Sequence, residues 1–158
     1  MFNIGDKVVY PMHGAGEIEA IEEKEVLGNR QKYYIMKLPL GDMKLMIPIR
    51  DNGESGLRQI IPELEADKVL GILKEKSTDM PTNWNHRYRA NMEKIKSGNI
   101  YEVAEVVRNL SLRDRDKGLS TGEKKMLECA RQILVSELIY AKRSEETHIM
   151  QLISECLA

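Results

Sequence analysis

The pattern of hydrophobic and polar positions changes its period near residue 60. Before that point the chain has short runs of roughly alternating or β-rich character: DKVVY, GEIEAIE, QKYYIMKL and MKLMIPI. Glycine-containing turn sequences separate them: YPMHGAG, LGNRQ and LGDMK. Short strands at hairpin spacing in so few residues predict a small barrel of the SH3 or Tudor type, in which Pro48 marks the end of a strand.

A helical period begins at about residue 62. Pro62 is placed at the first helical position of PELEADKVLGILKEK, which brings four apolar residues near one face: Leu64, Val69, Ile72 and Leu73. Further helices are predicted after STDMPT and within NIYEVAEVVRNLSLRDRDKG, STGEKKMLECARQILVSELIYAKR and EETHIMQLISECLA. The expected helix caps are Thr82 or Asn83, Asn99, Ser120 in a capping box with Glu123, and Ser144, and the expected helix stops are Gly98 and Gly118.

The longest of these helices carries one broad apolar face, in which Glu137 is the only charged residue. The face is traced by Met126, Leu127, Ala130, Ile133, Leu134, Glu137, Leu138 and Ala141.

The two periods predict an α+β protein of two modules. A small N-terminal SH3/Tudor-like β-barrel module is expected over residues 1–58, and a compact all-helical C-terminal domain over residues 59–158. The boundary lies near residues 54–62. Because this connection is short, we expect the modules to hold a limited range of relative positions.

Composition limits the possible functions. The 158 residues are 42% hydrophobic and 31% charged, as in folded proteins, and the net charge of −1 means that any nucleic-acid contact must come from a local patch. The chain has no apolar run of about 18 residues and no order typical of a signal peptide, so no membrane span is expected. Its two cysteines are expected to be free thiols in a reducing cytoplasm.

No constellation of catalytic residues is visible. The histidines, His13, His86 and His148, lie in unrelated predicted elements, and no nucleophile, phosphate-loop or metal-ligand motif is present. His13 is interpreted as part of a turn, and Cys129 as part of the apolar side of a helix. The chain is therefore predicted not to be an enzyme and to need no cofactor or metal.

The stretch MPTNWNHRYRANMEKIKSG holds the only tryptophan, Trp84, at the start of a basic helix. One interpretation is structural: the ring packs against a neighbouring helix and its N–H finds a carbonyl. The other is that an exposed indole beside Arg87 forms a nucleic-acid surface, with cations that neutralise phosphates and a ring that wedges a base step. Lys124 and Lys125 could join this patch, although by themselves they are typical of a solvated face.

Three long segments carry a resemblance to a known family: GDKVVYPMHGAG at residues 5–16, PTNWNHRYRANMEKIKSGNIYEVAEVVRNL at 81–110 and RDKGLSTGEKKMLECARQIL at 115–134. With these motifs in this order, the chain resembles the CarD/CdnL family of bacterial transcription regulators over essentially its whole length. A similar Tudor-like module occurs in the transcription-repair coupling factor, where it adjoins a large helicase that this sequence lacks.

The resemblance implies a division of labour between the modules. The β module would bind the β subunit of bacterial RNA polymerase, which implies a cytoplasmic protein associated with the nucleoid through polymerase. The helical domain would meet promoter DNA at the upstream edge of the transcription bubble. There the residue aligned with Trp84 would wedge into the minor groove and hinder bubble collapse. Such proteins stabilise the open complex, often at ribosomal RNA promoters, and their DNA contact is weak and largely independent of sequence.

The resemblance also assigns roles to individual positions. On the DNA side, His86 stands where relatives often have Arg, which weakens a phosphate contact or makes it depend on pH. On the polymerase side, Lys24 and Met46 stand where some relatives have Arg. The implied DNA-binding residues are Trp84, His86, Arg87, Arg89, Lys94 and Lys124. The implied polymerase-binding residues are Lys24, Lys37, Lys44, Met46 and Pro48.

Two hypotheses from different functional classes follow. The first is a polymerase-bound regulator that acts on promoter DNA through Trp84. The second is a protein-interaction adaptor in which Trp84 is a binding hot spot. The chain is expected to be a monomer, and self-association through an exposed strand edge stays open.

Overall fold

A computed structural model describes residues 1–158 as an N-terminal antiparallel sheet followed by five helices. This arrangement confirms the predicted α+β class and the change of period. The strands are β1 (Lys7–Tyr10), β2 (Gly14–Val26), β3 (Asn29–Lys37), β4 (Lys44–Ile49) and β5 (Arg58–Gln59). The helices are α1 (Glu63–Lys74), α2 (Trp84–Lys96), α3 (Ile100–Asp116), α4 (Thr121–Ala141) and α5 (Glu146–Leu157).

The five strands are ordered β4-β3-β2-β1-β5, so β4 and β5 form the edges. A register shift between Ile18 and Ala20 interrupts the long β2–β3 hairpin, which fits the extra twist that a small curved sheet needs. Pro48 is the penultimate residue of edge strand β4, where its missing N–H is tolerated. The inner face of the sheet encloses a small core of Val8, Ile18, Tyr34, Met36, Ile47 and Ile49.

Most predicted helix boundaries are confirmed. The side chains of Asn83, Asn99 and Ser120 cap α2, α3 and α4. Gly98 and Gly118 follow α2 and α3 with positive φ angles of 75° and 77°, which a side chain would strain.

Three local predictions were wrong. Ser144 does not cap α5, whose N-cap residue is Glu145 without a side-chain hydrogen bond. Pro62 is the N-cap residue of α1 rather than its first residue. Leu64 is 79% exposed, and Ala66, Val69, Leu70 and Leu73 form the buried face instead. A shift of the helix phase by one or two residues is enough to move Leu64 out of the core, because each residue turns the helix by about 100°.

Helix α4 runs through the helical domain and contacts the four other helices as well as β2. All members of its predicted apolar face are buried, and Glu137 is buried among them with no exposed surface. The core of this domain draws on all five helices. No helix has both the length and the apolar character that a membrane crossing requires.

Two isolated candidates have ordinary structural environments. His13 lies in the exposed turn after β1, where its ring stacks on Tyr10 with centroids 5.1 Å apart, and the turn interpretation is confirmed. Cys129 is partly buried against the core of the helical domain, and burial raises the pKa of its thiol.

Candidate nucleic-acid interface

Trp84 is the first residue of α2 and presents 42% of its surface to solvent. The N-cap residue Asn83 accepts a hydrogen bond from the backbone N–H of His86 at 3.2 Å, which fixes the start of the helix. One turn later, the ring of Tyr88 stacks on the indole with centroids 5.1 Å apart and planes 23° apart. The indole therefore has one supported face and a substantial exposed surface.

A second support for the ring comes from the start of α4. A Cβ added at Gly122 would lie 3.5 Å from Cζ2 of Trp84, so the ring rests close to this glycine. The indole N–H donates a hydrogen bond to Ser120 Oγ at 2.9 Å. The structural interpretation expected a carbonyl as acceptor, and the acceptor is instead this hydroxyl.

The Ser120 hydroxyl has no bonding capacity to spare. It accepts hydrogen bonds from the indole of Trp84 and from the backbone N–H of Glu123 at 3.2 Å, and it donates to Glu123 Oε1 at 3.4 Å. A serine hydroxyl offers one donor and two acceptor positions, and all three are used. The hydroxyl that caps α4 therefore also holds the Trp84 ring.

Next to the Ser120 hydroxyl lies a buried ion pair between Arg87 and Glu123, which are 4% and 2% exposed. Arg87 Nε and Nη2 donate to the two carboxylate oxygens at 2.8 and 3.0 Å, a bidentate arrangement. Arg87 Nη1 donates to the carbonyls of Pro81 and Thr82, so the same side chain ties down the segment that enters α2. Hydrogen bonding from Arg87 lowers the pKa of the Glu123 carboxyl against the opposing effect of burial.

The location of Arg87 corrects the sequence interpretation of this side chain. It was expected beside the indole as an exposed cation, but its charge is buried and compensated by Glu123. The reason is that Arg87 lies on the face of α2 that also buries Asn91 and Ile95, at helical spacing. Sequence reasoning identified the capping box of Ser120 and Glu123 but missed that both residues bond to the Trp84 region.

Several other cations near Trp84 have no acidic partner. Arg89, Lys124 and Lys125 are exposed, and none of them forms an ion pair. Lys124 and Lys125 are the fourth and fifth residues of α4. His86 is also exposed. Lys94, by contrast, pairs with Glu105 at 3.0 Å, which reduces the positive charge that it presents. Arg89, Lys124 and Lys125 are therefore exposed cations without a carboxylate partner on the two helices that hold Trp84.

On the β module, the five predicted polymerase-binding residues gather around one exposed sheet face. Antiparallel partners point to the same side of a sheet, and Lys44 lies opposite Lys37, Met46 opposite Ile35, and Pro48 opposite Tyr33. Lys24 Nζ reaches to 3.8 Å from Met46 Sδ across this face. Met46 is 48% exposed, while Lys44 pairs with Glu19 of β2 at 2.8 Å.

Comparison with known proteins gives a family match in each half of the chain. Residues 68–154 match the family described as "CarD, C-terminal domain", and residues 2–61 match "CarD-like/TRCF RID domain". A protein described as "Putative transcription factor YdeB" from Bacillus subtilis (strain 168) is 44% identical over 149 residues, which cover 94% of this chain and 97% of that protein. The chain belongs to the CarD/CdnL family. The resemblance read from the three sequence segments is thereby confirmed.

A solved structure of a CarD/CdnL relative was also found. CdnLNt from Myxococcus xanthus is 48% identical in sequence to this chain, with a TM-score of 0.35. The match covers 39% of this chain and 86% of that chain. The CarD/CdnL family is one of transcription factors, so this protein is a transcription regulator. Its N-terminal domain type is associated with RNA polymerase interaction.

Proposed function

We propose that this CarD/CdnL protein binds the β subunit of RNA polymerase through its β module and stabilises the promoter open complex through Trp84. The indole wedges into the minor groove at the upstream fork of the bubble and hinders reannealing. The observation that carries the proposal is an exposed indole that is held by Tyr88 and Ser120, on two helices that also carry exposed cations without a carboxylate partner.

The fixed ring suits a wedge. Unstacking a base step costs about a few kcal/mol, and the cost is smaller where the duplex is already melting. A side chain that is ordered before binding loses less conformational entropy on insertion than a mobile one. The stack on Tyr88 and the hydrogen bond to Ser120 provide this order in the free protein.

The surrounding charge suits the DNA backbone. Arg89 and Lys124 can each neutralise a phosphate because no carboxylate competes for them. Lys94 contributes a weaker contact because it is paired with Glu105. His86 also contributes a weaker contact, because it stands where relatives often have Arg. Arg87 acts from the interior by holding the segment that carries Trp84, not by contacting phosphate.

The β module provides the attachment to polymerase. Its exposed face combines the apolar surface of Met46 and Pro48 with the positive charge of Lys37, and with Lys24 and Lys44, which pair with Glu22 and Glu19 of β2. The adjoining edge of β4 has free backbone groups that could extend a sheet of the partner. Attachment raises the effective DNA concentration at Trp84 to about the millimolar range, so a small patch on a protein of net charge −1 is sufficient. The protein then shifts the promoter equilibrium by binding the open state better than the closed one.

The deciding experiment is the lifetime of open complexes on a ribosomal RNA promoter, measured with the cognate polymerase. Wild type is expected to prolong the lifetime, and Trp84→Ala is expected to lose this effect while it still binds polymerase. Equal loss of both properties in a folded Trp84→Ala protein would contradict the role of Trp84. If neither protein changes the lifetime although both bind polymerase, an adaptor role for the helical domain gains support.

A further inference from the structure

Helix α4 joins the Trp84 site to the β module. The residues that hold Trp84, Ser120 and Glu123, lie at its N-terminal end, and Ser136 and Glu137, which contact the β module, lie near its C-terminal end. At a rise of 1.5 Å per residue, Glu123 and Glu137 are separated by about 21 Å along the helix axis. A continuous α-helix of this length is a stiff connection.

One contact between the modules is an ion pair between Arg58 of β5 and Glu137. Arg58 Nη1 and Nη2 donate to the two carboxylate oxygens at 2.7 and 2.6 Å, and Glu137 has no exposed surface. The backbone N–H of Ile61 donates to Glu137 Oε2 at 3.0 Å, and Arg58 Nε donates to the carbonyl of Gly98 at 2.8 Å. One guanidinium thus connects the last strand, the turn between α2 and α3, and α4.

The second contact lies where β2 begins. The backbone N–H of Ala15 donates to Ser136 Oγ at 2.8 Å. Gly14 has a φ of 98°, and a Cβ there would lie 2.6 Å from the same oxygen. The strand therefore approaches α4 as closely as only glycine permits.

These contacts specify an orientation. A bidentate pair requires the guanidinium and carboxylate planes to align, and the N–H groups of Ile61 and Ala15 must reach their acceptors at the same time. Small rotations of the β module on α4 would break several of these bonds together. The short segment of residues 59–62 also joins the two modules, and it limits how far one can move relative to the other.

We infer that Glu137, with Arg58 and Ser136, is a positioning residue that locks the β module onto α4, and that α4 sets the distance and orientation between the polymerase-binding face and Trp84. The inference rests on the proposed function for its biological meaning. A module held by polymerase would direct Trp84 to one point of the promoter only if the connection is stiff. A loose connection would leave Trp84 near the DNA but not aimed at the fork.

The orientation itself can be measured without polymerase. Residual dipolar couplings of the full chain should fit one alignment tensor for both modules in wild type and two different tensors in Arg58→Gln/Glu137→Gln, which removes both charges of the ion pair together. Ser136→Ala is a milder variant that loses the Ala15 hydrogen bond and the bond that Ser136 Oγ donates to the carbonyl of Ile133 within α4, and a partial separation of the tensors is expected. The control is Lys142→Ala, which removes an ion pair with Asp67 inside the helical domain and should keep one tensor. A single wild-type tensor in the Arg58→Gln/Glu137→Gln protein would overturn the inference.

The consequence is measured as open-complex lifetime. Arg58→Gln/Glu137→Gln should bind polymerase as tightly as wild type, keep the wild-type Trp84 fluorescence, and lose more than half of the increase in lifetime. If Trp84→Ala loses the increase but Arg58→Gln/Glu137→Gln keeps it, the positioning inference fails and the proposed function stands. If Trp84→Ala keeps the full increase, the proposed function fails, and the dipolar couplings still decide whether the lock exists.

Discussion

The indole nitrogen of Trp84 lies 2.9 Å from the hydroxyl oxygen of Ser120, a residue 36 positions further along the chain. Ser120 is also the N-cap of α4. The same hydroxyl therefore stabilises the start of one helix and orients the exposed aromatic ring on another. Any change at Ser120 should alter the stability of α4 and the environment of Trp84 together.

Replacement of this hydroxyl is the first test. Ser120→Ala should lower the free energy of unfolding by about 1 kcal/mol, because the N-cap acceptor is lost. It should also make Trp84 more accessible to acrylamide, because the indole N–H loses its partner. Trp84 is the only tryptophan, so quenching of its fluorescence reports this site alone.

Asn99→Ala is the matched control for Ser120→Ala. Asn99 caps α3 through the backbone N–H of Tyr101 and makes no contact with Trp84. Asn99→Ala should lower the free energy of unfolding by a similar amount and leave the acrylamide quenching of Trp84 unchanged. Equal quenching in wild type and Ser120→Ala would show that the hydrogen bond does not orient the ring.

The buried pair of Arg87 and Glu123 should show strong coupling in unfolding experiments. Arg87→Ala leaves the Glu123 carboxylate buried without its partner and should cost about 3–5 kcal/mol. Arg87→Met/Glu123→Leu removes both charges at similar volume and should cost clearly less than Arg87→Ala. Urea unfolding of the wild type, Arg87→Met, Glu123→Leu and Arg87→Met/Glu123→Leu closes a double-mutant cycle and gives the coupling energy. A cost of Arg87→Ala below about 1 kcal/mol would contradict a tightly held pair.

The same pair predicts a pH dependence of stability. Arg87 lowers the pKa of Glu123 in the folded state below its ordinary value of 4.5. The carboxylate therefore contributes stability above that value, and the contribution is lost as pH falls through the lower folded pKa. Between neutral and acidic pH, the free energy of unfolding measured with urea should fall less in Glu123→Gln than in wild type. Parallel curves for the two proteins would show that Glu123 has the same pKa folded and unfolded.

Sequence reasoning went furthest where the signal is local. The period change, the caps at Asn99 and Ser120 and the position of Trp84 at a helix start all depend on neighbouring residues, and the structure agrees with them. It failed where tertiary contacts decide. In sequence, Glu123 is a capping-box residue and Glu137 is the one charge on an apolar face, yet each is buried beside an arginine from a distant segment. Nothing in the pattern of α4 alone reveals these partners.

The unpaired charge of Lys124 should appear in the salt dependence of the effect on promoter complexes. The quantity to measure is the ratio of open-complex lifetimes with and without protein, plotted as a logarithm against the logarithm of salt concentration. We expect Lys124→Ala to reduce the slope of this plot by up to about 1. The reason is that one phosphate contact releases about one counterion. Lys68→Ala, at an exposed position of α1, is the control and should leave the slope unchanged. Equal slopes for Lys124→Ala and wild type would remove Lys124 from the DNA contact.

Met46 offers a separate test of the polymerase-binding face. Its side chain is 48% exposed on β4, so Met46→Glu should change the free energy of unfolding by no more than about 0.5 kcal/mol. A carboxylate there would be desolvated in an interface and would draw Lys24, whose Nζ lies 3.8 Å from Met46 Sδ, away from the partner. We expect affinity for polymerase to fall about tenfold or more, since loss of a buried interface anchor costs more than about 1 kcal/mol.

Leu27→Glu makes the same change of chemistry at the end of the β2–β3 hairpin, where Leu27 is 98% exposed. It should bind polymerase like wild type, because Leu27 lies in the turn beyond β2 and is not among the residues assigned to the face around Met46. A competition assay with labelled wild-type protein compares the three affinities directly. If Met46→Glu binds as well as Leu27→Glu, this face is not the polymerase contact, and the β5 edge, next to β1, becomes the surface to test.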